Sequence, residues 1–380
     1  MSTVNRLDPV GSTSVGPGLD ALPLRDDLRG RLPYGAPQID VPVRLNTNEN
    51  SYPLPEPAAL AVVAALALEV RQLNRYPDRE FTALRTALAT YLGHDLTADQ
   101  VWAANGSNEV LLHLFQAFGG PGRTALGFTP AYSMHPNIAA TSATAWVDGL
   151  RGAPSGQFDL TAESAAEQVA RHDPDLVMLC SPNNPTGTAL GLDVVTAVYD
   201  ATDRAVVVVD EAYAEFARTG TASALTLLPG RERLVVTRTM SKAFALAGAR
   251  LGYLAADPAV CDALRLVRLP YHLSSLTQAA ALAAVRHAPD LLGSVQVLRE
   301  QRDRIVTELA GLGLAPVPSD ANFVLFGGLA DPVATWQALL EHGVLVRDVG
   351  IPGHLRVTAG NPDETSAFLT ALTRVLEETP

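Results

Sequence analysis

Three short apolar runs, Leu176 to Cys180, Ala205 to Val209 and Leu234 to Thr237, each break off into residues that can do chemistry. The first leads into Ser181-Pro182-Asn183-Asn184-Pro185-Thr186-Gly187, the second into Asp210-Glu211-Ala212-Tyr213, and the third into Arg238-Thr239-Met240-Ser241-Lys242. Runs of this length with polar ends read as buried, mainly parallel strands. In open α/β sheets, ligands gather beyond the carboxyl ends of such strands. If the three are neighbours, one sheet edge receives an amide, a carboxylate with a phenol, and a lysine among hydroxyls. Taken singly, each feature has a plainer explanation: an Asp after a strand caps a helix, a Lys is solvated surface, and Asn-Pro-Thr-Gly is a turn. Together they meet the needs of pyridoxal phosphate. That cofactor takes a lysine at its aldehyde, a carboxylate at its pyridine nitrogen, donors at its phenolate oxygen, and a cradle of hydroxyls and a cation at its phosphate.

The elements that must hold these residues follow from the pattern of the chain. Residues 1–20 are rich in Ser, Gly and Pro, lack the apolar core of a signal peptide, and read as a loose tail. Residues 21–45 read as an irregular arm in which Arg25, Asp26, Asp27 and Arg29 are solvated and Tyr34 stands out. Helical stretches are expected near 57–73, near 79–92 and over Glu109 to Phe118, alternating with strands as in an α/β layered fold. Beyond Leu269-Pro270 the pattern changes to helices over Leu276 to Arg286 and Leu291 to Leu312, strands over Ala321 to Phe326 and Leu355 to Thr358, and a closing helix near 363–377. The expected organisation is a tail and arm (1–45), a large domain with a mainly parallel central sheet flanked by helices (46–270), and a smaller α+β C-terminal domain (271–380).

With 380 residues, 47% hydrophobic and 18% charged, the chain has ample material for such a core, which excludes disordered and disulfide-scaffold classes. A net charge of −12 argues against nucleic acid and anionic membrane as partners, so an anionic ligand must meet locally placed cations. Cys180 and Cys261 have no metal or redox spacing, and a reducing cytoplasm suits them. His94, His113, His135 and His354 lack the spacing of a metal site, no metal is expected, and these histidines read as structural. No GxGxxG is present to support dinucleotide binding. The apolar run Ala58 to Val70 is too short for a membrane span and carries Glu69.

The segments SPNNPTG (181–187), DEAY (210–213) and RTMSKAFALAGARLGY (238–253) resemble the signature blocks of fold-type I, aspartate-aminotransferase-like pyridoxal-phosphate aminotransferases. More narrowly, LPLRDDLRGRLPYGAPQ (22–38), LNTNEN (45–50), NRYPD (74–78), NGSNEVL (105–111), YSM (132–134) and PYHLSSLTQAAA (270–281) resemble the histidinol-phosphate aminotransferases. The resemblance implies that Lys242 binds the cofactor covalently and then shuttles the proton between the substrate α-carbon and the cofactor, its pKa lowered by burial and by Arg250. It implies that Asp210 faces the pyridine nitrogen, that Asn184 and Tyr213 bond the phenolate oxygen, and that Tyr132 stacks on the ring. Ser107 and Asn108 open a helix whose amides and dipole can receive the phosphate. Thr239, Ser241 and Arg250 complete that cradle, and Tyr76 reaches the phosphate of a neighbouring subunit, which implies a homodimer. Substrate recognition is implied for Tyr34, Asn184, Arg347 and Arg356.

The activity implied is transfer of the amine of L-histidinol phosphate to 2-oxoglutarate, giving imidazole-acetol phosphate and L-glutamate, a step of histidine biosynthesis. An aromatic amino-acid aminotransferase shares nearly all these blocks and is the alternative. A phospho-amino-acid decarboxylase and a non-catalytic cofactor binder are further ones. Where the family usually has NENPYGP, this chain reads Asn48-Glu49-Asn50-Ser51-Tyr52-Pro53-Leu54, so the turn before the first helix lacks the usual Pro and Gly.

Overall fold

The chain's structure is a computed structural model that describes residues 21–31, 35–152 and 158–378, so the N-terminal tail and Tyr34 lie outside the described residues. Its elements begin with β1 (Val43–Arg44), α1 (Glu56–Val70), α2 (Thr82–Leu92), β2 (Val101–Ala104), α3 (Ser107–Phe118) and β3 (Thr124–Thr129). There follow α4 (Met134–Thr141), β4 (Ala145–Leu150), α5 (Ala162–His172), β5 (Leu176–Cys180), α6 (Leu192–Asp200), β6 (Val206–Asp210), β7 (Leu234–Thr239) and β8 (Gly252–Ala256). The rest comprises α7 (Pro258–Val267), α8 (Ser275–Arg286), α9 (Ala288–Leu291), α10 (Val295–Gly311), β9 (Ala315–Pro316), β10 (Phe323–Gly327), α11 (Pro332–Glu341), β11 (Val344–Leu345), β12 (Leu355–Thr358) and α12 (Pro362–Glu378).

Seven strands form one sheet in the order β2-β8-β7-β6-β5-β3-β4. All contacts are parallel except those of β8, which runs antiparallel to both β2 and β7. The runs LVMLC and VVVVD of β5 and β6 are buried along their whole length, as strands covered on both faces must be. Register pairs Cys180 with Asp210 and Asp210 with Thr237, so the ends of β5, β6 and β7 lie side by side. Helix starts are built locally: Asp257 accepts from the Ala259 amide ahead of Pro258, and Ser274 accepts from the Thr277 amide. The helix expected from Glu109 begins two residues earlier, at Ser107, because Gly106 takes a φ of 87° and ends the extended segment there. The long helix expected from Leu291 is instead a short α9, a tight turn over 292–294, and α10.

Backbone contacts divide the chain into two units, at places other than 45/46 and 270/271. The larger holds 49–300 and 318–322. Residues beyond 270 stay with it because α8 packs on α1 and α2. The excursion 318–322 belongs to it because Asp320 accepts from the Arg218 amide (2.8 Å) and donates its own amide to the Gly187 carbonyl (2.8 Å). The smaller unit holds the remaining described residues, including the arm from 21 to 48. Its sheet has the order β12-β10-β9, and β1 pairs in parallel with β11. Its core gathers Leu45, Ile305, Phe326, Leu339, Val357 and Phe368. In the arm, Arg25 pairs with Asp27 at 2.6 Å and Asp26 is fully exposed, a solvated stretch.

Candidate active site

Asp210 closes β6 and is buried, 2% exposed. One carboxylate oxygen accepts from the Thr237 hydroxyl (3.0 Å), its register partner on β7, and the other lies 3.2 Å from Nε2 of His135. A buried carboxylate with both oxygens engaged is fixed in direction. His135, read from sequence as structural, therefore belongs to the site. It follows Tyr132 by three residues, and the Tyr132 ring meets it edge-on at 5.4 Å, a spacing too common to have marked it in the sequence.

Beyond β5, the Asn184 amide donates to the Tyr213 hydroxyl at 3.4 Å. Glu211, next to Asp210, is buried and pairs with Arg238 at 2.7 Å, while Arg238 also reaches Glu215 at 3.1 Å and the Ser223 hydroxyl at 3.0 Å. Burial alone would make this guanidinium easier to deprotonate, but Glu211 and Glu215 outweigh it and hold the charge firmly. This network ties the turn after β6 to the last residues of β7, where a second turn begins.

Lys242, half-buried in that second turn, is the only lysine in the chain. The turn folds back on itself: the Met240 amide donates to the Leu251 carbonyl (3.0 Å), Leu246 to Met240 (3.1 Å) and Ala245 to Lys242 (3.2 Å). The Thr239 hydroxyl donates to Ser241 Oγ (3.0 Å) and accepts from the Ser241 amide (3.1 Å). Arg250, in the left-handed region at φ 55°, brings Nη1 to 3.5 Å from Ser241 Oγ and donates to the Ala247 carbonyl at 3.1 Å.

Two glycines let these groups close on the start of α3. A Cβ on Gly106 would come within 2.5 Å of Nη2 of Arg250, and one on Gly252 would collide with the backbone nitrogen of Ser107. Sequence reading missed both glycines, whose roles lie in close backbone approach. The result is a small cradle of one guanidinium, the Thr239 and Ser241 hydroxyls, and a helix N-terminus whose first amides have no partner within the helix. A phosphate dianion fits this donor set. Tyr132 is tied to it by a 3.4 Å bond from its hydroxyl to Asn108 Oδ1.

Tyr76 is not gathered into this cluster; it is 80% exposed and stacks on Tyr271 at 4.4 Å. Arg347 and Arg356 lie in the smaller unit, paired across an antiparallel bridge with reciprocal 2.9 Å backbone bonds. Arg356 is 7% exposed, donates Nη2 to the Asn46 carbonyl (2.8 Å), and lies over the Phe323 ring at 5.0 Å. Nη1 of Arg347 is buried with no hydrogen-bond partner, and among the described residues no carboxylate pairs with Arg347. Arg347 as a whole is half-buried, and a guanidinium with an unpaired inner nitrogen is suited to an anion.

A family model described as aminotransferase class I and II matches residues 41–372. Histidinol-phosphate aminotransferase of Paenarthrobacter aurescens is 62% identical over 363 residues, covering 95% of this chain and 97% of its own. The protein of that name from Thermobifida fusca is 58% identical, over 94% of this chain and 96% of its own. Among solved structures, histidinol-phosphate aminotransferase from Sinorhizobium meliloti in complex with pyridoxal-5'-phosphate superposes with a TM-score of 0.80 at 25% identity, covering 90% of this chain and 92% of that one. A Thermus thermophilus aspartate aminotransferase variant gives 0.74 at 25% identity, over 88% and 96%.

Proposed function

The chain belongs to the aminotransferase class I and II family, and from that membership we propose a pyridoxal-phosphate-dependent transfer of the amine of L-histidinol phosphate to 2-oxoglutarate, leaving imidazole-acetol phosphate and L-glutamate. The observation that carries the chemistry is Asp210, fixed by Thr237 and His135 at the strand end beside the turn holding the single lysine. The substrate rests on relatives of that name that match nearly the whole chain, and on buried Arg356 and half-buried Arg347, both suited to anions.

When bound, the cofactor supplies an aldehyde that takes the amine and a ring that accepts the electron pair left at the α-carbon. Asp210 would hold a proton at the pyridine nitrogen, because its carboxylate is aimed by Thr237 and His135 and its two oxygens cannot turn away. Asn184 and Tyr213 hold the phenolate oxygen. Arg250, Ser241, Thr239 and the amides of Ser107 and Asn108 bind the phosphate, and Tyr132 covers the ring. Lys242 Nζ takes the proton from the substrate α-carbon and returns it on the other side of the transfer, as a general base and then acid. Arg356 and Arg347 are the residues suited to the anionic groups of the two substrates.

The working form is a homodimer in the cytoplasm. Its support is α1, apolar around its whole circumference with Leu60, Val63 and Leu68 exposed, a surface of the sort that a second copy covers. Tyr76, equally exposed, then serves the partner's phosphate. Among the described residues no helix is long and apolar enough to cross a membrane, and both cysteines are free and buried. The testing experiment compares kcat/KM for L-histidinol phosphate and L-phenylalanine with 2-oxoglutarate as acceptor. Preference for histidinol phosphate is expected; preference for phenylalanine overturns the substrate assignment.

A further inference from the structure

Two consecutive residues in the turn before α8, Tyr271 and His272, engage two different parts of the phosphate machinery. The His272 ring stacks on Trp102 at 5.4 Å and 7°, and meets Phe81 (5.6 Å) and His113 (5.3 Å) edge-on. Its Nε2 is 2.9 Å from the Ala103 carbonyl; a carbonyl only accepts, so Nε2 carries the hydrogen. Its own backbone carbonyl accepts from the side-chain amide of Asn105 at 2.8 Å. Asn105 is held again by Glu109, which accepts from both its backbone and side-chain nitrogens (2.6 and 2.7 Å). One residue thus pins the end of β2 and the Asn105-Gly106-Ser107 turn that opens α3.

Tyr271 sits at φ 58°, a conformation that a tyrosine rarely adopts and that its surroundings must hold. Its ring stacks on Tyr76 at 4.4 Å and 12°. The segments around the two tyrosines are bound together as well: Gln278 donates to the Asp78 carbonyl (2.9 Å), and Arg268 pairs with Glu80 (2.6 Å) while its guanidinium covers Trp102 (5.3 Å). The stack is therefore mounted on a fixed base.

We propose that Tyr271 and His272 are paired positioning residues, His272 setting the turn that receives its own subunit's cofactor phosphate and Tyr271 setting Tyr76 for the phosphate of a second copy. This rests on the pyridoxal-phosphate and dimer reading above. It makes one turn responsible for phosphate grip at both sites of the dimer.

The test measures the dissociation constant of pyridoxal phosphate by titrating the full-length apo-protein, together with the apo-protein's Tm. Tyr271→Asn removes the ring yet tolerates the left-handed backbone, so the turn survives. It is expected to weaken binding by about tenfold, as Tyr76→Ala does, with the double variant no weaker than either single one. His272→Leu keeps the bulk but removes the donor to Ala103, and is expected to weaken binding about tenfold, with the apo Tm recording separately the stability lost with that bond. His272→Gln, which can still donate there, recovers most of the loss. Multiplying effects of Tyr271→Asn and Tyr76→Ala, or wild-type binding in Tyr271→Asn while Tyr76→Ala is weakened, overturn the Tyr271 role. Equal losses in His272→Leu and His272→Gln, or wild-type binding in both, overturn that of His272. Failure of the underlying reading looks different: the wild-type chain then binds no cofactor, or Tyr76→Ala binds it normally, and the proposal falls with it.

Discussion

Trp102 on β2 is fully buried, and its indole N–H donates to Nδ1 of His113 on α3 at 3.2 Å. Indole is a donor only, so Nδ1 must present its lone pair and the imidazole must be neutral. Burial, and secondarily the neighbouring His272, push the His113 pKa down to about 4. An unfolded chain binds this proton near pH 6.5, so the folded state refuses a proton that the unfolded state accepts. The stabilisation is whole above pH 6.5 and is lost as pH falls toward 4. Between pH 8 and pH 5 the difference works out at about 2 kcal/mol. His113→Asn removes the titration while leaving an oxygen able to accept from the indole, and any cavity it creates costs the same at both pH values. Urea unfolding of both proteins, followed by tryptophan fluorescence at pH 8 and pH 5, measures the effect directly. The wild type should lose about 2 kcal/mol more than the variant over that interval. Equal losses in the two proteins would refute both the buried neutral imidazole and the hydrogen bond that demands it.

Two further outcomes follow from buried contacts around the site. Arg238→Ala leaves Glu211 and Glu215 buried without their cation and should lower stability by about 3–5 kcal/mol; a loss below about 1 kcal/mol in urea unfolding would contradict the network. Gly252→Ala drives a methyl into the Ser107 backbone at the cradle and should cost about 1–3 kcal/mol while weakening cofactor binding; an unchanged dissociation constant in the apo-protein titration would show that the cradle is not there.

The sheet was legible where its strands are continuous apolar runs. β5, β6 and β7 announce themselves in this way, and the residues that follow them are the ones the sheet brings together. β2 is half alanine, β4 is an edge strand interrupted by Asp148 and Gly149, and neither gives a clear period. The division near 300 rather than 270 is tertiary: α8 reads as an ordinary helix, and only its packing on α1 and α2 assigns it. The turn holding Lys242 and the helix that opens at Ser107 lie beside the strand ends to which the pattern of residue types pointed. His135 could not be separated from other buried histidines without the partner 75 positions away. The bond from Asn105 to His272 spans 167 positions, and a local pattern carries no trace of it.

Because Lys242 is the only lysine, reductive trapping has a single side-chain target. The holo-protein is reduced with borohydride, digested, and mapped by mass, with and without prior exposure to L-histidinol phosphate in the absence of any acceptor. The account predicts one cofactor fixed per chain, on the peptide containing Lys242, and its disappearance after histidinol phosphate but not after an equal concentration of L-phenylalanine. No adduct at Lys242, or one that phenylalanine removes and histidinol phosphate leaves in place, would contradict it.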